Sequence, residues 1–274
     1  MRILSVLSVV LVLALGAARP VSAQKAPTKN LQQADLNYLL FVIQGDNAAD
    51  AINAIAELGK RRTPESLDML QMQLLLGYPP AMSRAMIQAL GARKDARSLD
   101  TLVFYTRHRA PDLRAEALVA LCELDFGKDA APVKTVNDLL LHALRDYDEV
   151  VRHKAAWLLG KRRVAEAEEP LLKLFARGSA PAMQALGFVG GIRTARALAL
   201  AMENTKTSKE PLIATIGTLL SRDDFGPEPV RVQLVQILGD TNLPGAQNVL
   251  MVYHGSGPEA FPRSRKLAFQ ILSK

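Results

Sequence analysis

A single cysteine, Cys122, in 274 residues excludes an intramolecular disulfide, so the fold must be held by packing. Aromatic residues make up only 5% of the chain and include one tryptophan, Trp157, which leaves Leu, Ala, Val and Ile to supply most of the apolar surface. Apolar residues reach 49%, ample for a continuous core and too many for a disordered chain. The four histidines, at 108, 142, 153 and 254, have neither a histidine at helical i, i+4 spacing nor a neighbouring cysteine, so no metal site is expected. Gly187-Phe188-Val189-Gly190-Gly191 lacks both a preceding strand and the phosphate-binding glycine spacing, and Gly255-Ser256-Gly257 lacks the setting of a nucleophile elbow. Carboxylates such as Asp223-Asp224 or Glu166, Glu168 and Glu169 sit in no apolar stretch that would raise a pKa for acid or base work. No catalytic residue and no cofactor is therefore expected, and the chain reads as a non-enzyme.

Long, predominantly apolar runs are also absent, with one exception. Between Arg2 and Arg19-Pro20 the run from Ile3 to Ala18 carries no charge, and the small residues Val21-Ser22-Ala23 follow it. Residues 1–23 read as a secretory signal cleaved after Ala23, the other reading being a retained anchor, for which about 16 apolar residues fall short of the roughly 20 that span a bilayer. The expected location is outside the cytoplasm, in the periplasm or the extracellular medium. Loss of Arg2 and Arg19 with this segment would lower the formal charge of +7 by two units. The remaining positive balance permits polyanion contacts without requiring them.

What the chain has in abundance is one repeated unit. Val151 to Gly160 reads VRHKAAWLLG, an arginine near the start of an apolar helix and a Leu-Gly near its end. Eight positions separate Arg152 from Gly160 and Arg231 from Gly239, and the same offset joins Arg114 to Cys122 and Arg265 to Ser273. Gly59, Gly91, Gly160, Gly187 or Gly190, and Gly239 are expected as left-handed helix stops, and Cys122 as a small packed residue in the same position. Prolines 64, 80, 111, 132, 181, 211, 229 and 244 lie at or near expected helix starts, where a missing N–H costs little.

After a flexible lead-in over residues 24–30, a solenoid over 31–274 is expected, with paired helices at Leu31–Gln44 with Ala48–Leu58, Pro64–Leu76 with Pro80–Leu90, and Ala96–Arg107 with Pro111–Leu124. The pairing continues with Pro132–Arg145 and Glu149–Leu159, then Ala165–Ala176 and Pro181–Val189. Beyond Thr194 the phase is open: three segments, Ala195–Met202, Pro211–Leu220 and Pro229–Leu238, precede a final pair at Pro244–Tyr253 and Phe261–Leu272. Ser221–Glu228, rich in charge with Gly and Pro, is the expected bend or weak boundary.

The V-R-x-x-A-A-x-x-L-G pattern resembles HEAT repeats, particularly the short bacterial kind related to those of phycobilin lyases. It is clearest at Val151–Gly160 and at Val230–Gly239 (VRVQLVQILG), and partial at Ser83–Gly91 and Pro181–Gly190, where the arginine position is not basic. The resemblance implies an all-α fold, an α-solenoid with helical hairpins stacked into a right-handed superhelix. It also implies that the arginine pairs with an acidic residue in the turn before it, Asp112 for Arg114 and Asp146 or Asp148 for Arg152.

Two surface features stand out. With about 100° per residue, setting Ala155 at zero puts Val151 and Leu159 on the packed side and Trp157 and His153 opposite. The same register gives Arg84, Gln88, Gln184, Gln236, Lys266 and Gln270, a polar row that would suit a protein or peptide partner in a concave groove, or would simply be good polar helix formers. The second feature is a run of cations after the helix ends: Lys60, Arg61, Arg62, Arg93, Lys94, Lys161, Arg162, Arg163 and Arg193. They would bind an anionic polymer, membrane surface or, less suitably, nucleic acid, or would serve the helix C-termini. The reading favoured is an exported scaffold for a protein or peptide, with a basic-edge binder and a lyase-like or glycosylase-like enzyme as alternatives.

Overall fold

The structure, a computed structural model, describes residues 30–205, 207–255 and 261–273. The expected signal segment and most of the lead-in lie outside the described residues. No described helix is long and apolar enough to cross a membrane.

The chain is an all-α solenoid of antiparallel helical hairpins, as the repeated motif predicts. The hairpins are α1 (Leu36–Ile43) with α2 (Ala48–Lys60), α3 (Pro64–Leu76) with α4 (Pro80–Arg93), α5 (Leu99–Tyr105) with α6 (Pro111–Glu123), and α7 (Ala130–Ala143) with α8 (Glu149–Lys161). They continue as α9 (Glu168–Phe175) with α10 (Ala180–Val189), α11 (Ile192–Glu203) with α12 (Lys209–Leu220), and α13 (Glu228–Asp240) with α14 (Pro244–Gly255). A final helix, α15 (Pro262–Leu272), packs on both α13 and α14. The phase left open beyond Thr194 is thus resolved: α11 pairs with α12, and the last helix is the one without a hairpin partner of its own. Two expected helices begin instead with a tight 3-10 turn, at Ala96–Ser98 and Ala165–Ala167.

Local chemistry sets the helix starts. Side chains of Asn47, Thr63, Asp129, Asp148 and Ser179 accept bonds from first-turn N–H groups. Pro64, Pro80, Pro111 and Pro244 are first residues of helices, and the other expected prolines fall within the first three positions.

The even-numbered helices pack in succession as one row from α2 to α14, while neighbours in the odd-numbered row touch slightly until α11 meets α13 and α13 meets α15. This explains the glycines, and corrects their expected role. Gly59, Gly91, Gly160, Gly187 and Gly239 lie inside their helices rather than beyond them, and none has a positive φ; Gly190 does follow the end of α10, but in an extended conformation (φ −67°) rather than a left-handed one. The first five are points of close approach. A Cβ on Gly91 would sit 2.8 Å from Ala120 Cα, and one on Gly160 would sit 2.9 Å from Ala185 Cα. Positive φ falls instead on Lys94 (φ 57°), Arg163 (φ 53°) and Asn242 (φ 52°), and on the glycines of the connecting turns, Gly77, Gly127, Gly178 and Gly226.

The apolar core runs in two stretches, the first from Ala34 to Val189 and the second from Met183 to Ala268, with Phe175 packed against both. The junction therefore lies near α9 to α11, and the 221–228 loop is not a loose bend. Its Phe225 is buried, and the buried Arg231 guanidinium donates to the carbonyls of Leu220 (2.8 Å), Phe225 (3.0 Å) and Arg222, with its Cζ 3.5 Å from the Phe261 ring centroid.

Candidate functional site

Trp157 points outward as its register predicts: it is 48% exposed while Ala155, Ala156, Leu158 and Leu159 are buried. It forms one wall of a cavity of about 580 Å³ that crosses α8, α10 and α12. Gln184 and Phe188 of α10 and Ala214 and Thr218 of α12 share that lining. Phe188 is 41% exposed, so two large rings face solvent within one concavity. Lys161 and Arg163 stand at the same cavity, and the Lys161 and Lys154 ammonium groups lie 5.0 and 5.6 Å from the Trp157 ring centroid. Cations there balance the electron-rich ring face and leave positive charge at the mouth. Beyond Thr218 the concavity continues onto α14 at Asn248, Val249 and Val252.

The structure divides the expected row. Trp157 and Gln184 come together. His153 lines a different cavity and lies 3.1 Å from Glu149. Arg84 and Gln88 reach across to α6, where they meet Asp112 (3.0 Å) and Glu116 (3.2 Å). Gln236, Lys266 and Gln270 are exposed, but they sit on α13 and α15 of the odd-numbered row and do not line the groove. A motif shared by both rows gave them one register. Phe188, by contrast, was passed over as part of a glycine-rich stop, although it falls four residues after Gln184 on the same helical face.

The cations after the helix ends do not form one free edge. Arg93 is buried and donates to Ser66 Oγ (3.0 Å), Thr63 O (3.1 Å) and Arg61 O. Arg61 donates to the carbonyls of Leu31 and Ala34, Arg62 to those of Arg93 and Ala92, and Arg162 to Asn137 Oδ1 at 3.0 Å. These arginines stitch consecutive repeats, Arg62 by donating to the end of α4, where the last carbonyls have no partner within the helix, and the others by donating to turn carbonyls or to a side chain of the neighbouring repeat. Lys60 pairs with Glu57, Lys94 and Arg193 are exposed, and Lys161 and Arg163 belong to the groove.

The repeat arginine also departs from the expected pairing. Arg114 does not bond Asp112; its Nε and Nη2 donate to Asp146 at 2.9 and 2.7 Å, so the acid comes from the turn of the following hairpin. Arg114 Nη1 donates to His108 O, Arg109 O and the Tyr147 hydroxyl, and the guanidinium lies 4.4 Å from the Tyr147 ring centroid. Arg152 holds the turn before it through the carbonyls of Asp146 (2.8 Å) and Tyr147 (2.9 Å) rather than through a carboxylate.

Cys122 is half-buried, and burial pushes its thiol pKa up to about 11 against the opposing pull of Arg162. At pH 8 it should react with a thiol reagent far more slowly than an unfolded control, since the thiolate is the nucleophile. A stopped-flow comparison of folded and denatured protein checks this, and equal rates would contradict it. Among the described residues no group of three or more His, Cys, Asp or Glu is placed to hold a metal ion.

No family model and no curated protein matches the sequence. Solved structures similar in shape include an engineered protein at 16% identity, covering 86% of this chain and 68% of that one with a TM-score of 0.46. The complex of CpcE and CpcF of phycocyanin lyase from Nostoc matches at 16% identity, over 85% of this chain and 99% of that one, TM-score 0.43. A designed armadillo repeat protein in complex with the peptide (KR)4 matches at 14% identity, over 87% and 100%, TM-score 0.35. Likeness at this level carries no function across.

Proposed function

We propose that this protein is an exported, non-enzymatic scaffold that holds an extended segment of a partner protein in the groove over α8, α10 and α12. The observation that supports it is the pairing of Trp157 and Phe188, two exposed rings in one concavity of about 580 Å³. An apolar anchor of the partner fits between the rings, and Gln184 and Thr218 offer amide and hydroxyl groups to its backbone. Lys161 and Arg163 favour acidic residues beside that anchor, by charge complementarity. Export rests on the signal-like residues 1–23 and is tested by the intact mass of the protein recovered outside the cytoplasm, expected to begin at Gln24.

The groove is tested by affinity capture from the native envelope fraction with wild-type and Trp157→Ala baits. Trp157→Ala should weaken partner binding by about 2 kcal/mol or more. Because the ring is half exposed, unfolding stability should change by less than about 1 kcal/mol. Capture that is unaffected by the substitution would remove this reading.

A further inference from the structure

A second concavity, of about 620 Å³, lies where the turns before α8 and α10 meet α9, and it shares no lining residue with the groove. Its residues are best understood by counting from the helix caps. Ala110, Asp148 and Ser179 precede α6, α8 and α10, and Arg114 and Arg152 each stand four residues after their cap. Both arginines do the same local work. Arg114 donates to the carbonyls one and two residues before its cap, His108 and Arg109, and Arg152 donates to the equivalent Asp146 and Tyr147 carbonyls.

Across the junction to the next hairpin the two arginines part company. Arg114 receives the Asp146 carboxylate on two nitrogens and the Tyr147 ring on its face, and these residues stand two and one before their cap. At the corresponding positions before Ser179 the chain has Arg177 and Gly178. The acid is replaced by a cation and the ring by a hydrogen atom, which opens the concavity that Arg152 lines. Arg145, Lys173 and Arg177 also line it. Asp146 and Glu149 line it too, and each acid nearby is engaged: Asp146 with Arg114, Glu149 with His153 at 3.1 Å, and Glu169 with Lys173 at 2.9 Å. The result is a cluster of guanidinium groups beside a carboxylate-sized position that the preceding junction fills from within.

We propose that this concavity binds an acidic residue followed by an aromatic one on a partner polypeptide, placed against Arg152 as Asp146 and Tyr147 are placed against Arg114. The chemistry it recognises is an aspartate side-chain carboxylate with a ring on the next residue. The site is independent of the groove and stands whether or not Trp157 anchors a partner.

The test uses the full mature chain and blocked Gly-Gly-Asp-Tyr-Gly-Gly as probe, measured by calorimetry at low salt. Saturable binding is expected, weakened about tenfold or more when the probe's Asp is replaced by Asn or when the protein carries Arg177→Asp, which would supply Arg152 with an internal carboxylate. Arg177 is exposed, so that variant should fold, with an unfolding midpoint no lower than the wild type's. Trp157→Ala should bind the probe normally. A free-acid Gly-Gly-Asn-Tyr should not replace the blocked Asp probe. Equal binding of the blocked Asp and Asn probes, unchanged binding by Arg177→Asp, or no saturable binding of the blocked Asp probe overturns the proposal.

Discussion

Replacing Arg114 with Ala should cost about 3 to 5 kcal/mol of unfolding free energy, the range for removing one member of a buried ion pair. The Arg114 side chain is 5% exposed and its Asp146 partner 14%, so neither group falls back on bulk water when the other is removed. The substitution also leaves the His108 and Arg109 carbonyls without their donor. Arg84→Ala is the contrast, because Arg84 and Asp112 are an exposed pair whose loss should cost less than about 1 kcal/mol. Chemical denaturation of both variants checks the ranking, and similar small losses would mean that the inter-hairpin clamp contributes little.

The clamp carries a pH dependence of known sign. Burial alone would raise the Asp146 pKa, but bonds from Arg114 and from the Asp148 N–H, with the charges of Arg114 and Arg152, hold it below the ordinary aspartate value. A pKa depressed by folding contributes stability that is fully present above the unfolded value, about 3.9, and is lost as pH falls through the folded one. Wild-type stability should therefore decline on the acid side of about pH 4, and Arg114→Ala should flatten that part of the decline.

Gly160→Leu should be comparably damaging, at about 3 kcal/mol or more, the upper end of overpacking effects. The Cβ alone would come within 2.9 Å of Ala185 Cα and 3.1 Å of Ala185 Cβ, and backbone cannot rotate aside as a side chain would. The even-numbered row must then open between α8 and α10, which also distorts the groove. Gly245→Ala is the control: its Cβ would meet only Ile213 Cγ2, at 3.9 Å, and it should be neutral or slightly stabilising through helix propensity. Thermal unfolding of the two variants separates close approach from a general intolerance of glycine replacement.

Much of this architecture is legible in the sequence because the hairpin is a local object. The 3.6-residue apolar period and the proline starts place most of the helices, and the register of Val151–Gly160 correctly turns Trp157 outward. What one repeat does to the next is not local, and there the sequence reading fails in a consistent way. Arg114 looks paired with Asp112 when only the nearest turn is considered, whereas its carboxylate comes from Asp146, 32 residues on. The Leu-Gly pairs look like helix stops because glycine commonly ends helices, but a glycine needed for the close passage of two helices leaves the same mark. Gln236 and Gln270 share the motif register of Gln184, and nothing in a periodicity tells an even-row helix from an odd-row one. Arg61, Arg62 and Arg93 read as a charged edge because their acceptors are backbone carbonyls, which no sequence displays.

Trp157 is the sole tryptophan in the chain, so its fluorescence reports on the groove without interference. The most direct measurement is its emission and its quenching by acrylamide as the captured partner is titrated in. The proposed groove predicts a blue shift and loss of quenching that saturate with binding, as the half-exposed ring is covered. Partner binding that saturates while the emission and quenching of Trp157 stay unchanged would contradict it.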